Sequence, residues 1–279
     1  RIVEIKDKLK RRLREYHYGI WFLFIFLASL GIGIYITRWM ISGSFQVGVK
    51  IPYAEDIQYF SIRTGYRFLQ PLFLGPIFGI IYYILMRLLL ARVNKEEGYN
   101  RYYIFAIEIC VVILIIINCI AHVFHLGMEY VNALDKTDGA AFNSDYREMF
   151  VYAWYLDEWL GHALIQATYF GYLILAILGE ILMNPKTKMM IDEYFFSLLT
   201  AYGISIINGY AAIPSESGFL ILFMQCIFVL IALIVIFVKK IDVRCYPILF
   251  AMLISTIFIL YFNIIEIVED GIQSTYPFW

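Results

Sequence analysis

Two short stretches of the chain combine histidine with carboxylate, and the first is "AHVFHLGMEY" at 121–130. It contains His122, His125 and Glu129, which are spaced i, i+3 and i+7. Residues at this spacing share one face of an α-helix, so the three side chains would project from a single stripe. Imidazole nitrogens and carboxylate oxygens together favour a divalent transition metal over Mg²⁺ or Ca²⁺.

The second stretch is "LDEWLGHAL" at 156–164, and it contains Asp157, Glu158 and His162. Glu158 and His162 are spaced i, i+4 and share a stripe, while Asp157 lies one position round the helix. The two stretches hold three of the four histidines in the chain. We therefore predict one metal site with ligands from both stretches, namely His122, His125, Glu158 and His162. Zn²⁺ is the first choice, with Fe or Cu as alternatives.

Carboxylates near such a metal that are not needed as ligands indicate a catalytic site. A catalytic zinc keeps one position for water, and a nearby carboxylate can then act as general base. Glu129 and Asp157 are the candidates for that base. The corresponding hypothesis is a metal-dependent hydrolase acting on an ester or amide of a lipid or another apolar substrate.

Other interpretations of the same residues remain open. The chain could be a cation transporter or binding protein, with the carboxylates capturing the ion. It could also be a structural subunit of a larger membrane complex, in which His122 and His162 bind a haem. A further alternative is that these polar groups simply lie at helix ends that are exposed to water, where the helix dipole favours Asp157 and Glu158.

The composition indicates a helical membrane protein. Hydrophobic residues make up 62% of the 279 positions and charged residues only 16%. Several runs reach the roughly 20 apolar residues that cross a bilayer core of about 30 Å. Runs such as "CVVILIIINCIAHVF" do not alternate in polarity, which excludes a β-barrel. The net charge of −1 offers no basic field for nucleic acid.

Hydropathy and turn residues divide the chain into seven predicted transmembrane helices, which form one domain over 18–279. The predicted spans are 18–41, 68–91, 102–128, 150–182, 192–212, 217–238 and 245–268. Residues 1–17 are basic and amphipathic, and we expect them, with His17, to lie along the membrane surface. The predicted location is a cell membrane, crossed several times.

The distribution of basic residues predicts the orientation. With these spans, 16 of the 22 Lys and Arg residues fall on the side of the N-terminus and 6 on the other side. Because cytoplasmic loops carry the excess of Lys and Arg, the N-terminus is predicted to be cytoplasmic and the C-terminus extracytoplasmic.

Depth along the predicted helices places the histidines at the outer edge of the bilayer. His122 lies 20 residues after Tyr102, and His162 lies 20 residues before Leu182. At 1.5 Å per residue, both are about 30 Å from the inner boundary. An apolar substrate would enter between aromatic side chains at this level, for which the candidates are Tyr130, Tyr152, Trp154, Tyr155 and Trp159.

Acidic residues also occur at the inner end of the bundle. Glu108 and Glu180 could face one another, or either could pair with Arg87. We expect a structural ion pair there, with a proton or cation path toward the outer cluster as the alternative.

Overall fold

The computed structural model describes residues 17–39, 46–49, 58–61, 71–93, 100–138, 152, 155–208 and 218–270. At some helix ends, among them 129–138 and 158–159, the description covers the backbone alone. Apart from one short pair of strands, the elements in these ranges are helices, which confirms the all-α class.

The described residues form seven α-helices, one in each predicted span. The helices are α1 (Tyr18–Trp39), α2 (Phe78–Leu90), α3 (Asn100–Asp138), α4 (His162–Met183), α5 (Ile191–Asn208), α6 (Gly218–Lys239) and α7 (Pro247–Asp270). Two π-helical segments lead directly into α2 and α4, namely Phe73–Ile77 and Tyr155–Gly161. A 3₁₀ turn, Val243–Cys245, precedes α7.

Five of these helices are long and apolar enough to cross a membrane. The five candidate spans are Phe73–Leu90, Arg101–Met128, Tyr155–Met183, Leu222–Lys239 and Pro247–Ile265. The apolar part of α1, Tyr18–Ile34, is shorter, and α5 carries two acids in its first turn. The chain is therefore a membrane-embedded helical protein, while the number of seven spans and the orientation stay predictions.

The connection between α1 and α2 contains two strands that we did not predict from the sequence. β1 (Gln46–Val49) pairs antiparallel with β2 (Gln58–Ser61), with Val47 opposite Phe60. The hydrophobic residues of these segments are Val47 and Val49 in β1 and Tyr59 and Phe60 in β2, and β-branched and aromatic residues are enriched in strands. Most of this connection lies outside the described residues.

α3 extends ten residues beyond its predicted end at 128. Its last ten residues, 129–138, read "EYVNALDKTD", a segment without the helix breakers Gly and Pro. The helix has 39 residues and is therefore about 58 Å long, nearly twice the thickness of a bilayer core. The predicted span of 102–128 agrees with the candidate membrane span Arg101–Met128, and the helix itself continues past this apolar run.

Aromatic side chains hold α1, α2 and α4 together. Phe26 contacts Phe78 with ring centroids 5.3 Å apart, and Tyr82 lies 4.2 Å from Tyr172 by the same measure. Tyr82 and Tyr172 are both fully buried, and the Tyr82 hydroxyl donates to the Tyr172 carbonyl at 2.6 Å. A buried tyrosine needs such a partner, so this bond fixes how α2 lies against α4.

Glu180 and Glu108 have different partners and do not face one another. Arg87 forms an ion pair with Glu108, as predicted for one of the two acids. Glu180 is fully buried and instead accepts from the backbone N–H groups of Ile248 at 3.1 Å and Leu249 at 3.0 Å. The first N–H groups of a helix have no partner within that helix, so the Glu180 carboxylate caps α7 from α4.

His17 packs into the bundle, with only 7% of its side chain exposed. Its Nδ1 lies 2.9 Å from both carboxylate oxygens of Glu193, and its Nε2 lies 2.7 Å from the Thr187 carbonyl oxygen. Glu193 also accepts from the backbone N–H groups of His17 and Met190. His17 therefore joins α1 to α5 and to the preceding loop. Residues 1–16 lie outside the described residues, so the expected position of this segment on the membrane surface stays a prediction.

Candidate functional site

The candidate site lies where α3 passes the π-helical segment Tyr155–Gly161 at the start of α4. Asp157 lies within this segment and is 2% exposed. A π-helix has i→i+5 hydrogen bonds and accommodates an additional residue per turn, which rotates the residues before it relative to a regular α-helix. Such segments are frequent at functional sites, and here the segment directs Asp157 toward α3.

His125 connects the two predicted stretches. Its Nδ1 lies 2.5 Å from Asp157 Oδ1, and its ring centroid lies 4.4 Å from that of His162. Gly161 permits this approach, because an added Cβ there would lie 3.2 Å from His125 Cβ. A carboxylate on one nitrogen of an imidazole fixes the ring and makes the other nitrogen a better base or ligand.

His122 lies deeper, one helical turn toward the middle of α3, and is 2% exposed. Its Nε2 lies 3.1 Å from the Tyr169 hydroxyl. Its Nδ1 is buried and has no hydrogen-bond partner among the described residues. Leaving a buried polar atom unpaired costs about 1–3 kcal/mol, so this nitrogen is one that a ligand or ion could satisfy.

Asn118, one turn below His122, joins three helices. Its Nδ2 donates to the Leu74 carbonyl at 2.8 Å, and its Oδ1 accepts from the Thr168 hydroxyl at 3.0 Å. The Leu74 carbonyl lies in the π-helical segment that contains Pro76. In a regular α-helix, the N–H of Phe78 would bond to the carbonyl of Leu74. Here it bonds instead to the carbonyls of Phe73 and Gly75. Asn118 thus holds α3 in register with its neighbours.

The depths predicted from the sequence differ from the structure by about one turn. His162 lies against His125, and His122 contacts Tyr169, seven residues further along α4. Two causes contribute: α3 begins two residues before the predicted start, and the residues before His162 are π-helical. Counting residues at 1.5 Å each assumes regular helices with equal boundaries.

The predicted site residues are only partly brought together. His125, His162 and Asp157 are in contact, and His122 is within electrostatic range of both His125 and His162. The side chains of Glu129 and Glu158 lie outside the described part of the structure. Among the described side chains, no group of three or more His, Cys, Asp or Glu residues has the spacing of a metal site.

Three polar residues of this region were not predicted as part of the site: Asn118, Thr168 and Tyr169. Asn118 lies four residues before His122 and continues the histidine stripe, which was a usable signal. Thr168 and Tyr169 are six and seven residues after His162, and nothing in their spacing separates them from ordinary core residues. Of the predicted entrance aromatics, Tyr152 and Tyr155 are 72% and 50% exposed.

Comparisons of the chain with protein-family models, with curated proteins and with solved structures found no match. The function is therefore inferred from the geometry of the site.

Proposed function

We propose that the chain is an integral membrane metalloenzyme whose metal is bound by His122, His125 and His162 and whose substrate is a lipid or another apolar molecule. The observation that supports it best is the pairing of His125 with a buried Asp157 beside a second imidazole. Metal-ligating histidines commonly have such a carboxylate on their other nitrogen.

The unpaired Nδ1 of His122 further supports a bound ion. A neutral imidazole nitrogen is a good ligand for Zn²⁺, Fe or Cu. Because the described side chains do not meet at one point, metal binding must rotate at least one imidazole. Glu158, on the same helical turn as His162, is the candidate fourth ligand.

The bound ion, Asp157 and Glu129 would each have a separate role. A bound divalent ion would polarise a carbonyl group and activate water. Asp157 holds the orientation of His125 through the contact at 2.5 Å. Because this contact gives Asp157 the role of orienting His125, Glu129 is the preferred candidate for the general base.

Metal analysis of the purified full-length chain tests the metal site. We expect one metal per chain after exposure to Zn²⁺, and loss of that metal in His125→Ala and in His162→Ala. Asp157→Asn should bind metal 10- to 100-fold more weakly, as for other orienting partners. His17→Ala is the matched control, because it removes a histidine at the opposite end of the bundle and should leave the metal content unchanged. Wild-type protein that binds no metal would refute the proposal.

Activity of the metal-loaded protein separates catalysis from binding. Glu129→Gln should retain metal and lower turnover of a lipid ester or amide by about 10²–10⁴, the range for a lost general base. If metal-loaded wild type hydrolyses no lipid ester or amide, the enzyme assignment fails while the metal site stands.

A second candidate is a cation or proton transporter, which the buried polar side chains below the histidines favour. Asn118, Thr168 and His122 are each at most 2% exposed and lie in successive turns of α3 and α4. Uptake of a labelled cation or of protons into vesicles by wild type, abolished in Asn118→Leu, would support transport. A Soret band in the absorption spectrum would instead identify a haem-binding subunit.

A further inference from the structure

A cavity of about 520 Å³ lies at the opposite end of the bundle, between the ends of α4 and α6 and the start of α7. We call it the basic cavity. Its lining includes Lys186, Lys188, Lys239 and Lys240. Among the described residues that line it there is one carboxylate, Asp242. Four ammonium groups around one cavity repel each other, so an anion bound between them would be stabilised.

Asp242 leaves most of the lysine charge unbalanced, because its carboxylate is bound chiefly by Arg244. The Arg244 guanidinium donates to both carboxylate oxygens, with Nε 2.8 Å from Oδ1 and Nη2 2.9 Å from Oδ2. These hydrogen bonds hold the pKa of Asp242 below its ordinary value, so its charge is balanced by Arg244 at neutral pH. Lys188 Nζ forms a longer ion pair with Asp242 Oδ2 at 4.0 Å, which is beyond a direct hydrogen bond.

The shape of the basic cavity is set by two residues with positive φ. Asn184 ends α4 at φ 50°, and its Oδ1 accepts from Tyr246 at 3.1 Å and from Lys186 at 3.0 Å. Burial raises the pKa of Tyr246, so its hydroxyl retains the proton that it donates. Lys240 follows α6 at φ 52°, a conformation for which Gly or Asn is preferred. A lysine at this position brings a positive charge where the backbone would favour glycine.

An apolar groove of about 400 Å³ runs between α4, α6 and α7. The residues that line it include Ile174, Leu178, Ile181, Phe228, Ala232 and Ile236. Ile181 lines the basic cavity as well, so the groove and the cavity are adjacent. α6 has 22 residues and is about 33 Å long, so Lys239 at its end lies near the level of lipid headgroups if α6 crosses the bilayer.

We propose that the basic cavity and the apolar groove together bind one anionic glycerophospholipid, with its phosphate among the lysines and an acyl chain along α4 and α6. Charge complementarity selects an anionic headgroup, as in other basic pockets between transmembrane helices. The apolar groove selects a membrane lipid over a soluble anion. This site is about 30 Å from His162, the length of α4, and does not depend on the proposed metalloenzyme function.

Native mass spectrometry of the delipidated full chain, titrated with phosphatidylglycerol or phosphatidylcholine, tests the proposal. Wild type should retain phosphatidylglycerol in preference to phosphatidylcholine. Each lysine near a headgroup contributes roughly fivefold in affinity, so replacing all four by Gln should weaken phosphatidylglycerol binding by about 100-fold or more. Arg101→Gln, which removes a charge from α3 at the same end, should leave binding unchanged.

Two single variants separate lipid binding from structure. Lys240→Gly relieves the positive φ, so it should weaken phosphatidylglycerol binding about fivefold while the melting temperature in phosphatidylcholine stays the same or rises. Leu178→Trp changes an exposed residue of the groove and should reduce lipid retention with all lysines present.

Several results would overturn the proposal. Equal retention of the two lipids, or unchanged phosphatidylglycerol binding by the four-lysine variant, would remove the headgroup site. Unchanged retention by Leu178→Trp would remove the acyl chain from the groove. Millimolar inorganic phosphate that displaces the lipid and binds with the same dependence on lysine would identify a site for a soluble anion.

Discussion

Replacing Gly19 by Ala should destabilise the bundle, although Gly19 lies in a helix where alanine is ordinarily favoured. A Cβ at this position would lie 2.5 Å from Glu180 Oε1 and 2.7 Å from Pro247 Cγ. Both distances are below any normal contact. The Pro247 ring is rigid and cannot move aside. The Glu180 side chain cannot turn away without losing its hydrogen bonds from the N–H groups of Ile248, at 3.1 Å, and Leu249, at 3.0 Å.

The size of the effect follows from these contacts. Overpacking costs about 1–3 kcal/mol, and leaving one buried N–H group without its acceptor also costs about 1–3 kcal/mol. The higher helix propensity of alanine returns at most about 1 kcal/mol. We therefore expect Gly19→Ala to lower the free energy of unfolding by about 2–5 kcal/mol. Gly31→Ala, in the same helix, is the matched control, since nothing lies within 4 Å of its added Cβ.

Equilibrium unfolding of the purified protein in mixed micelles, followed by circular dichroism, measures both changes. Gly31→Ala should be neutral or stabilising by up to about 1 kcal/mol. Combining Gly19→Ala with Glu180→Ala should cost less than the sum of the two single changes, because the carboxylate obstacle is then absent. If Gly19→Ala unfolds like Gly31→Ala, the close approach of α1 to the Glu180 carboxylate is refuted.

Two further predictions concern stability and topology. Glu193→Gln replaces one of the two carboxylate oxygens that receive buried N–H groups, so it should lower the free energy of unfolding by about 1–3 kcal/mol in the same assay. Glu108→Gln, which breaks a more exposed ion pair, should cost less than about 1 kcal/mol, and equal effects of the two changes would contradict the role of Glu193. A topology reporter in the loop at Lys186 should be cytoplasmic and one fused after Trp279 extracytoplasmic, as the distribution of basic residues predicts. A cytoplasmic signal after Trp279 would exclude the predicted orientation.

Much of the helical architecture was predictable from the sequence. The apolar runs and their polar connections predicted seven helices, and the described residues contain a helix in each predicted segment. A helix satisfies its backbone hydrogen bonds internally and needs no partner for that. Depth along the predicted helices placed both histidine stretches at the same end of the bundle, but it put His122 and not His125 at the level of His162. Hydropathy marks the apolar span and not the end of the helix, as the ten additional residues of α3 show.

The partners of the polar side chains were decided only by the tertiary structure. Nothing in the sequence indicates that Glu180 caps α7, that His17 packs against Glu193, or that Asp157 orients His125. These contacts join residues on different helices, so they depend on how each helix is rotated and shifted against its neighbours. That register is set by packing, by π-helical segments such as Tyr155–Gly161, and by glycines that let backbones approach closely. The sequence by itself therefore determined which segments are helical and which of them carry chemically capable residues, whereas packing between helices decided which of those residues meet.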